Sequence, residues 1–295
     1  MSVPDSEGRA ASVEELTSAH LPRAEAAGPS TDVTRFLWLL KLGGLANLFF
    51  LARTPWPFAP GVDPYVAAPA MVFFAVSAFR CFFPVRYEHH VVFHDLPVSS
   101  VFWTRVAATF SEILYIFQFS HVLRVLNVEH VAWVDGLSWL MVVAVTTSQC
   151  FVWSAVFSEN FKFYYFEEFG WVVLFAANTI ASLHLYLTTW ATGPREVLLQ
   201  LSLLYAIGYL PVQIVHLAML RADWKTSDGS HWAELGATFA ARLRNGLARA
   251  LTRKRPRTDM ESWGGIVGVC WMAGYFATVI PIWVYVVVRT LARVP

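Results

Sequence analysis

Charge is what this sequence has least of. Asp, Glu, Lys and Arg together make up 15% of its 295 residues, where soluble domains run near about 25%. The formal net charge is +1, so no surplus of either sign is present to hold nucleic acid by bulk electrostatics, and no nucleic-acid partner is expected. Cysteine is also sparse. Cys81, Cys150 and Cys270 lie far apart inside apolar runs. An odd number of thiols in such settings argues against a disulfide framework, and each reads as a small buried hydrophobe. No C-x-x-C or C-x-x-C-H occurs, which removes the ligands of a zinc knuckle and of a covalently attached haem. What is present is apolar surface: 56% of residues are hydrophobic and 13 are tryptophan. That balance excludes a disordered chain, argues against a water-soluble globule and points to a protein that crosses a bilayer several times.

The first 32 residues are the exception. Residues 1–32 are rich in Ala, Ser, Glu and Pro and poor in aromatics, so they bury too little surface to fold alone and read as a disordered tail. Seven apolar runs follow, at 35–53, 65–84, 98–124, 131–157, 169–190, 197–220 and 263–288. Each is near the length that spans about 30 Å of hydrocarbon at about 1.5 Å per residue. Turn chemistry separates them, as in TPWPFAPGVDP at 54–64 and ATGPRE at 191–196. The expected fold is an all-α, polytopic integral membrane bundle of seven transmembrane helices. Helices one to six lie within 33–220, a loop follows at 221–262, and the seventh helix and a short tail occupy 263–295. Tryptophan and tyrosine are ample for interfacial belts.

The basic residues orient the bundle. Alternating spans place 15 Lys and Arg side chains on the side of the N-terminus and five on the other, with Lys41 and Arg105 inside spans. The N-terminus is therefore expected in the cytoplasm and the C-terminus on the opposite side. In the 221–262 loop, Trp232, Leu235, Phe239, Leu243, Leu247 and Leu251 recur at helical spacing, with Arg242, Arg244, Arg249, Arg253, Lys254 and Arg255 around and after them. A helix within 232–257, ended by Pro256, would lie at the interface and meet anionic headgroups, or pack on the cytoplasmic face of its own bundle.

Ionisable groups inside a bilayer each need a partner or a task. Helix three carries Arg105, Thr109, Glu112 and Tyr115 on one face. Arg105 and Glu112 are seven residues apart, roughly 10 Å along the axis, which reads as too far for a direct pair. Helix six carries Ser202, Tyr205, Tyr209, Gln213 and His216 as a continuous polar stripe, which must face protein or a water-filled cavity. Helices four and five meet through SENFKFYYFEEFGW, which holds Glu159, Glu167 and Glu168, with Gln149 before it and Asn178 beyond it. The second loop, RYEHHVVFHDLPVSS, concentrates His90, His94 and Asp95. His90 and His94 have the spacing that chelates a divalent metal on a helix.

Families with comparable helix numbers leave marks that are missing here. Lysine occurs only at 41, 162, 225 and 254, so the last span offers no Schiff-base nitrogen and no retinal is expected. The single HHVVFH run does not supply the repeated histidine boxes of membrane hydroxylases and desaturases. His216 stands alone where ceramidase-like hydrolases need several histidines.

The expected function is that of a membrane-embedded enzyme acting on a lipid or isoprenoid at the cytoplasmic leaflet. Glu112 and His216 are its candidate acid and base, and Arg105 its anion-stabilising group. Tyr205, Tyr209, Gln213, Gln149, Asn178, Glu159, Glu167 and Glu168 are the candidate substrate-binding wall, and His90, His94 and Asp95 the candidate metal or headgroup ligands. Membrane lipids are the expected partners. A small-solute or proton-coupled transporter is the alternative, and it would need a second polar route from the outer face, for which His121 and His184 are available. A non-catalytic membrane subunit is the third.

Overall fold

The computed structural model describes residues 30–87, 89–227 and 239–291. The segment 1–29 and the positions of Trp232 and Leu235 lie outside the described residues, so the expected tail and the start of the 232–257 helix are not described. Helices dominate the rest: α1 (Thr34–Arg53), α2 (Pro64–Phe82), α3 (Val101–Leu126), α4 (Ala132–Ser158), α5 (Phe161–Thr188), α6 (Pro194–Ser227), α7 (Phe239–Thr252), α8 (Gly265–Met272) and α9 (Val279–Leu291). Among the described residues, seven helical segments are long and apolar enough to cross a membrane: α1 to α5, the Pro194–Ala222 part of α6, and the combined Gly265–Leu291 segment. The first is continuous through Lys41 and the Gly43-Gly44 pair.

Local chemistry sets the helix starts. Asp63 caps α2 by accepting from the Tyr65 amide at 2.9 Å, with Pro64 at the first helical position. Asn160 caps α5 by accepting from the Lys162 amide at 2.9 Å. Glu159, in the left-handed region at φ 54°, is the sharp break that separates α5 from α4.

The seventh span is broken. α8 gives way to a π-turn at Ala273–Ala277 before α9 begins, where the hydropathy pattern predicts one continuous helix. Pro281 is the cause: it has no amide hydrogen, and its ring opposes the carbonyl four residues earlier, at Ala277. The wider turn leaves the Phe276 carbonyl to accept from Asn47 Nδ2 of α1 at 2.8 Å. Gly43 makes this approach possible, because a Cβ there would lie 2.3 Å from Ala277 Cβ.

The main apolar core lies toward the end of the bundle that carries the C-terminus of the last span. Phe73, Tyr115, Phe119, Phe175 and Trp283 interlock there, with Phe119 stacked on Trp283 at 3.7 Å between ring centres. Polar groups at that end satisfy one another: His121 with Asp63 at 2.6 Å, Arg124 with Ser138 at 3.0 Å, and Asn127 with Asp135 at 2.9 Å.

The opposite, basic end carries a cap. β1 (Val85–Arg86) pairs antiparallel with β2 (Val91–Val92), which pairs parallel with β3 (Arg255–Pro256). The Val33 amide at the start of α1 donates to the Thr258 carbonyl at 2.8 Å. α7 packs across the ends of α4 and α3, close enough that a Cβ on Gly246 would sit 1.8 Å from the Phe157 carbonyl oxygen. The helix stops at Thr252, and Pro256 belongs to the sheet.

Candidate functional site

Four ionised side chains meet under the cap. Arg80 reaches in from the last turn of α2, Arg105 and Glu112 from α3, and Glu167 from α5, all between 1% and 7% exposed. Arg105 Nη2 donates to Glu112 Oε2 at 2.7 Å and also to the Gln149 side-chain oxygen from α4. Gln149 in turn donates to the same Glu112 oxygen at 3.1 Å. Arg80 stands 3.5 Å from the other Glu112 oxygen, and Arg105 Nη1 stands 3.9 Å from Glu167. Two guanidinium groups and two carboxylates are thus buried together and pair with one another, which is the condition for burying such charges at all.

The direct Arg105–Glu112 pair overturns the expectation from spacing. A helical side chain leans toward the N-terminus, so Glu112 leans down toward Arg105. The arginine stem covers the remaining rise.

Arg80, Arg105, Glu112 and Glu167 form one wall of a cavity of about 190 Å³, while Gln149 stands behind them outside its lining. Glu168, Trp171, Tyr209 and His216 form another, and Arg86, Tyr87, Trp263 and Tyr275 close it from the cap and the last span. Gln213 donates to the Glu168 carboxylate, fixing α6 to α5. Arg86 donates to the carbonyls of Glu261 and Ser262 at 3.3 and 3.1 Å, tying β1 to the turn before α8. Burial pushes the Tyr87 phenol up from its ordinary value, against the pull of the Arg80 and Arg105 charges. Several buried polar atoms of this lining make no protein hydrogen bond among the described residues: Arg105 Nε, the Tyr87 and Tyr275 hydroxyls, and His216 Nδ1.

A second cleft of about 550 Å³ lies between α6 and the last span, lined chiefly by apolar groups such as Leu204, Val212, Val279 and Ile282. Tyr209, His216, Val267, Trp271 and Tyr275 line both spaces. The charged chamber therefore borders an apolar slot on the flank of the bundle.

The remaining sequence-derived candidates divide. Tyr205 lines the apolar slot and stacks on Tyr209 at 5.3 Å between ring centres. Asn178 donates to Ser202 at 2.7 Å and holds α5 to α6 away from the chamber. Glu159 pairs with Arg249 and Arg253 of the α7 segment at 3.0 and 3.5 Å. Glu112 and His216 face one chamber, yet the Glu112 carboxylate is occupied by Arg105, Gln149 and Arg80.

The histidine loop is a correction in form. Residues 90–95 form a strand and a bend, and His90 has φ 55°, so the helical i, i+4 geometry is not present. His94 Nε2 lies 2.9 Å from Lys41 Nζ, and Asp95 pairs with Lys254 at 2.7 Å. His90 is buried beneath the cap. Burial, together with the Arg253 and Arg249 charges, pushes its imidazole down to about 4 against the pull of Glu159. Burial and the Lys41 charge also lower His94. Among the described residues no group of three or more His, Cys, Asp or Glu is placed to hold a metal ion.

Sequence reasoning missed Arg80, Arg86, Tyr87 and Tyr275. By sequence Arg80 is only one of the basic residues that orient the bundle. Its position inside the end of an apolar run, on the same side as Arg105, was the signal available.

No family model, curated protein or solved structure matches this chain.

Proposed function

We propose that the chain is a multi-pass membrane protein that draws an amphiphilic lipid or isoprenoid from the bilayer and acts on its head group. Seven apolar helices fit such a protein. The excess of basic residues at the capped end supports placing that end and the N-terminus in the cytoplasm, with the C-terminus opposite. One observation carries the reading: the charged chamber and the apolar slot share five lining residues. A ligand bridging them needs a polar head and a hydrocarbon tail, and the slot opens where lipid would lie.

In this reading His216 is the residue at the junction that moves a proton. Its Nδ1 makes no hydrogen bond among the described residues, and an imidazole nitrogen left open to a ligand can give or take a proton. Glu112 holds Arg80 and Arg105 in place and is a positioning residue. The exposed Arg244, Leu247 and Leu251 of α7 support contact with anionic headgroups at the same leaflet.

A transporter is less well supported. Neither cavity reaches His121 or His184. His121 is paired with Asp63, His184 packs on Trp133, and the interlocked aromatic core fills the bundle between the chamber and that end.

The test is native mass spectrometry of the detergent-purified protein, with Gly208→Trp as the control. A Cβ at Gly208 meets nothing within 4 Å, and the residue lines the slot, so the indole fills the slot without displacing the fold. A defined lipid on the wild type, lost in the variant at unchanged melting temperature, supports the reading. A lipid-free wild type, or one whose bound lipid ignores Gly208→Trp, removes it.

A further inference from the structure

We infer that the head group taken by the chamber carries phosphate. The inference rests on the amphiphile reading above and adds the chemistry of the head. Three observations converge at the cap side of the chamber. First, α8 begins there at Gly265. The Gly264 and Gly265 amides are used by the Glu261 and Met260 carbonyls, and the Ile266 and Val267 amides that follow have no acceptor within the helix. Val267 and the glycines on either side of it in the fold, Gly264 and Gly268, line the chamber. The helix end presents partial positive charge to whatever sits before it.

Second, the Arg86 guanidinium lies against this helix start. A Cβ on Gly264 would be 3.1 Å from its central carbon. Glycine is required at 264 because the backbone there has φ 89°, and the missing side chain lets the guanidinium approach the helix start. Third, Arg105 is 1% exposed and lines the chamber, yet its Nε makes no hydrogen bond among the described residues. The nearby Tyr87 hydroxyl is in the same state. A buried donor on a permanent cation is costly to leave unpaired.

The carboxylates do not cancel this preference. Glu112 is taken up by Arg80, Arg105 and Gln149, Glu167 faces Arg105 Nη1 at 3.9 Å, and Glu168 accepts from Gln213 on the α6 side. What remains at the cap side is a buried guanidinium Nε and a phenol that make no hydrogen bond among the described residues, beside the positive charge of Arg86 and a helix start. Tetrahedral phosphate oxygens on a hydrocarbon tail match it, whether the source is an isoprenyl phosphate or a phospholipid.

The experiment holds the tail constant and changes the head. Thermal-shift titrations of the detergent-purified protein would use geranylgeranyl monophosphate, geranylgeraniol, phosphatidic acid and inorganic phosphate. The expected result is that the monophosphate binds at least about tenfold tighter than the alcohol, and that Tyr87→Phe and Arg86→Lys each erode that difference without changing alcohol binding. Tyr87→Phe removes a hydroxyl that makes no hydrogen bond among the described residues, so it keeps the fold. Tighter binding of phosphatidic acid than of the isoprenyl phosphate identifies a phospholipid source. Protection by inorganic phosphate alone identifies a free-phosphate source and removes the tail. Equal binding of phosphate and alcohol, both lost in Gly208→Trp, overturns the phosphate inference and leaves the amphiphile reading standing. Binding of none of the four overturns both.

Discussion

Arg105 and Glu112 close to 2.7 Å although seven residues separate them on α3, and that pair is shared outward to Arg80 and Gln149. Removing the Glu112 charge strands two buried guanidinium groups. Glu112→Gln is expected to destabilise the protein by about 3–5 kcal/mol, the range for breaking a buried ion pair. Glu159→Gln, whose carboxylate meets its arginines at side-chain exposures of 30–36%, should cost under about 1 kcal/mol. Thermal melting of both variants in one detergent checks the contrast. Equal losses would mean that the Glu112 cluster is no more than another surface pair.

His216 gives the opposite pattern. It sits where chamber and slot meet, and its Nδ1 makes no hydrogen bond among the described residues. His216→Ala is expected to cost less than about 1 kcal/mol of stability, as for a side chain outside any bonded network. Retention of the co-purified lipid, or its turnover once a substrate is found, should fall by about tenfold or more, the low end of a general acid–base contribution. Melting temperature and lipid occupancy measured on the same preparation separate the two effects. A large loss of stability with full occupancy would make His216 a packing residue.

The cap should weaken in acid through His90. Its folded-state value is pushed down from 6.5 to about 4, chiefly by burial. The unfolded state therefore binds more protons between those two values, and stability rises with pH across that window. The contribution is complete above about pH 6.5 and is lost as pH falls toward about 4. Melting curves at pH 7 and pH 5 should show a drop for the wild type that His90→Gln largely removes. An equal drop in the variant would place the titrating group elsewhere.

Gly43 tests how the broken seventh span is held. Its missing Cβ lets α1 touch Ala277 at the π-turn. Gly43→Val must separate the two elements and stretch the Asn47 bond to the Phe276 carbonyl. Overpacking of this kind costs about 1–3 kcal/mol, and thermal melting reads it. Gly208→Val, where a Cβ meets nothing within 4 Å, should change the melting temperature little.

Hydropathy alone located all seven long apolar helices, including the one that carries Lys41 and two adjacent glycines. Length and apolar composition are properties of a continuous stretch of chain, so they can be read without knowing its neighbours. The turn residues at 63–64 were legible for the same reason, whereas the fifth helix begins at Phe161, eight residues before its apolar run at 169, because Asn160 caps it inside a stretch too polar for hydropathy to mark. The polar face of α6 was legible too, because helical periodicity is local, although the structure splits its residues between interhelical bonding at Ser202 and cavity lining at Tyr209 and His216.

The sequence by itself thus determined that the chain is helical, how many long apolar segments it has, and which polar residues cannot face lipid. Only the tertiary structure decided what those residues do. Glu112 became the clamp on two arginines because α2, α3 and α4 bring Arg80, Arg105 and Gln149 within reach of one carboxylate. His90, His94 and Asp95 separated because a two-residue strand, not a helix, runs between them, and each finds a different partner or burial site. The charged chamber arises from segments about 195 residues apart in sequence, from Arg80 to Tyr275. Partners at that separation are set by packing of whole helices, which no local pattern encodes.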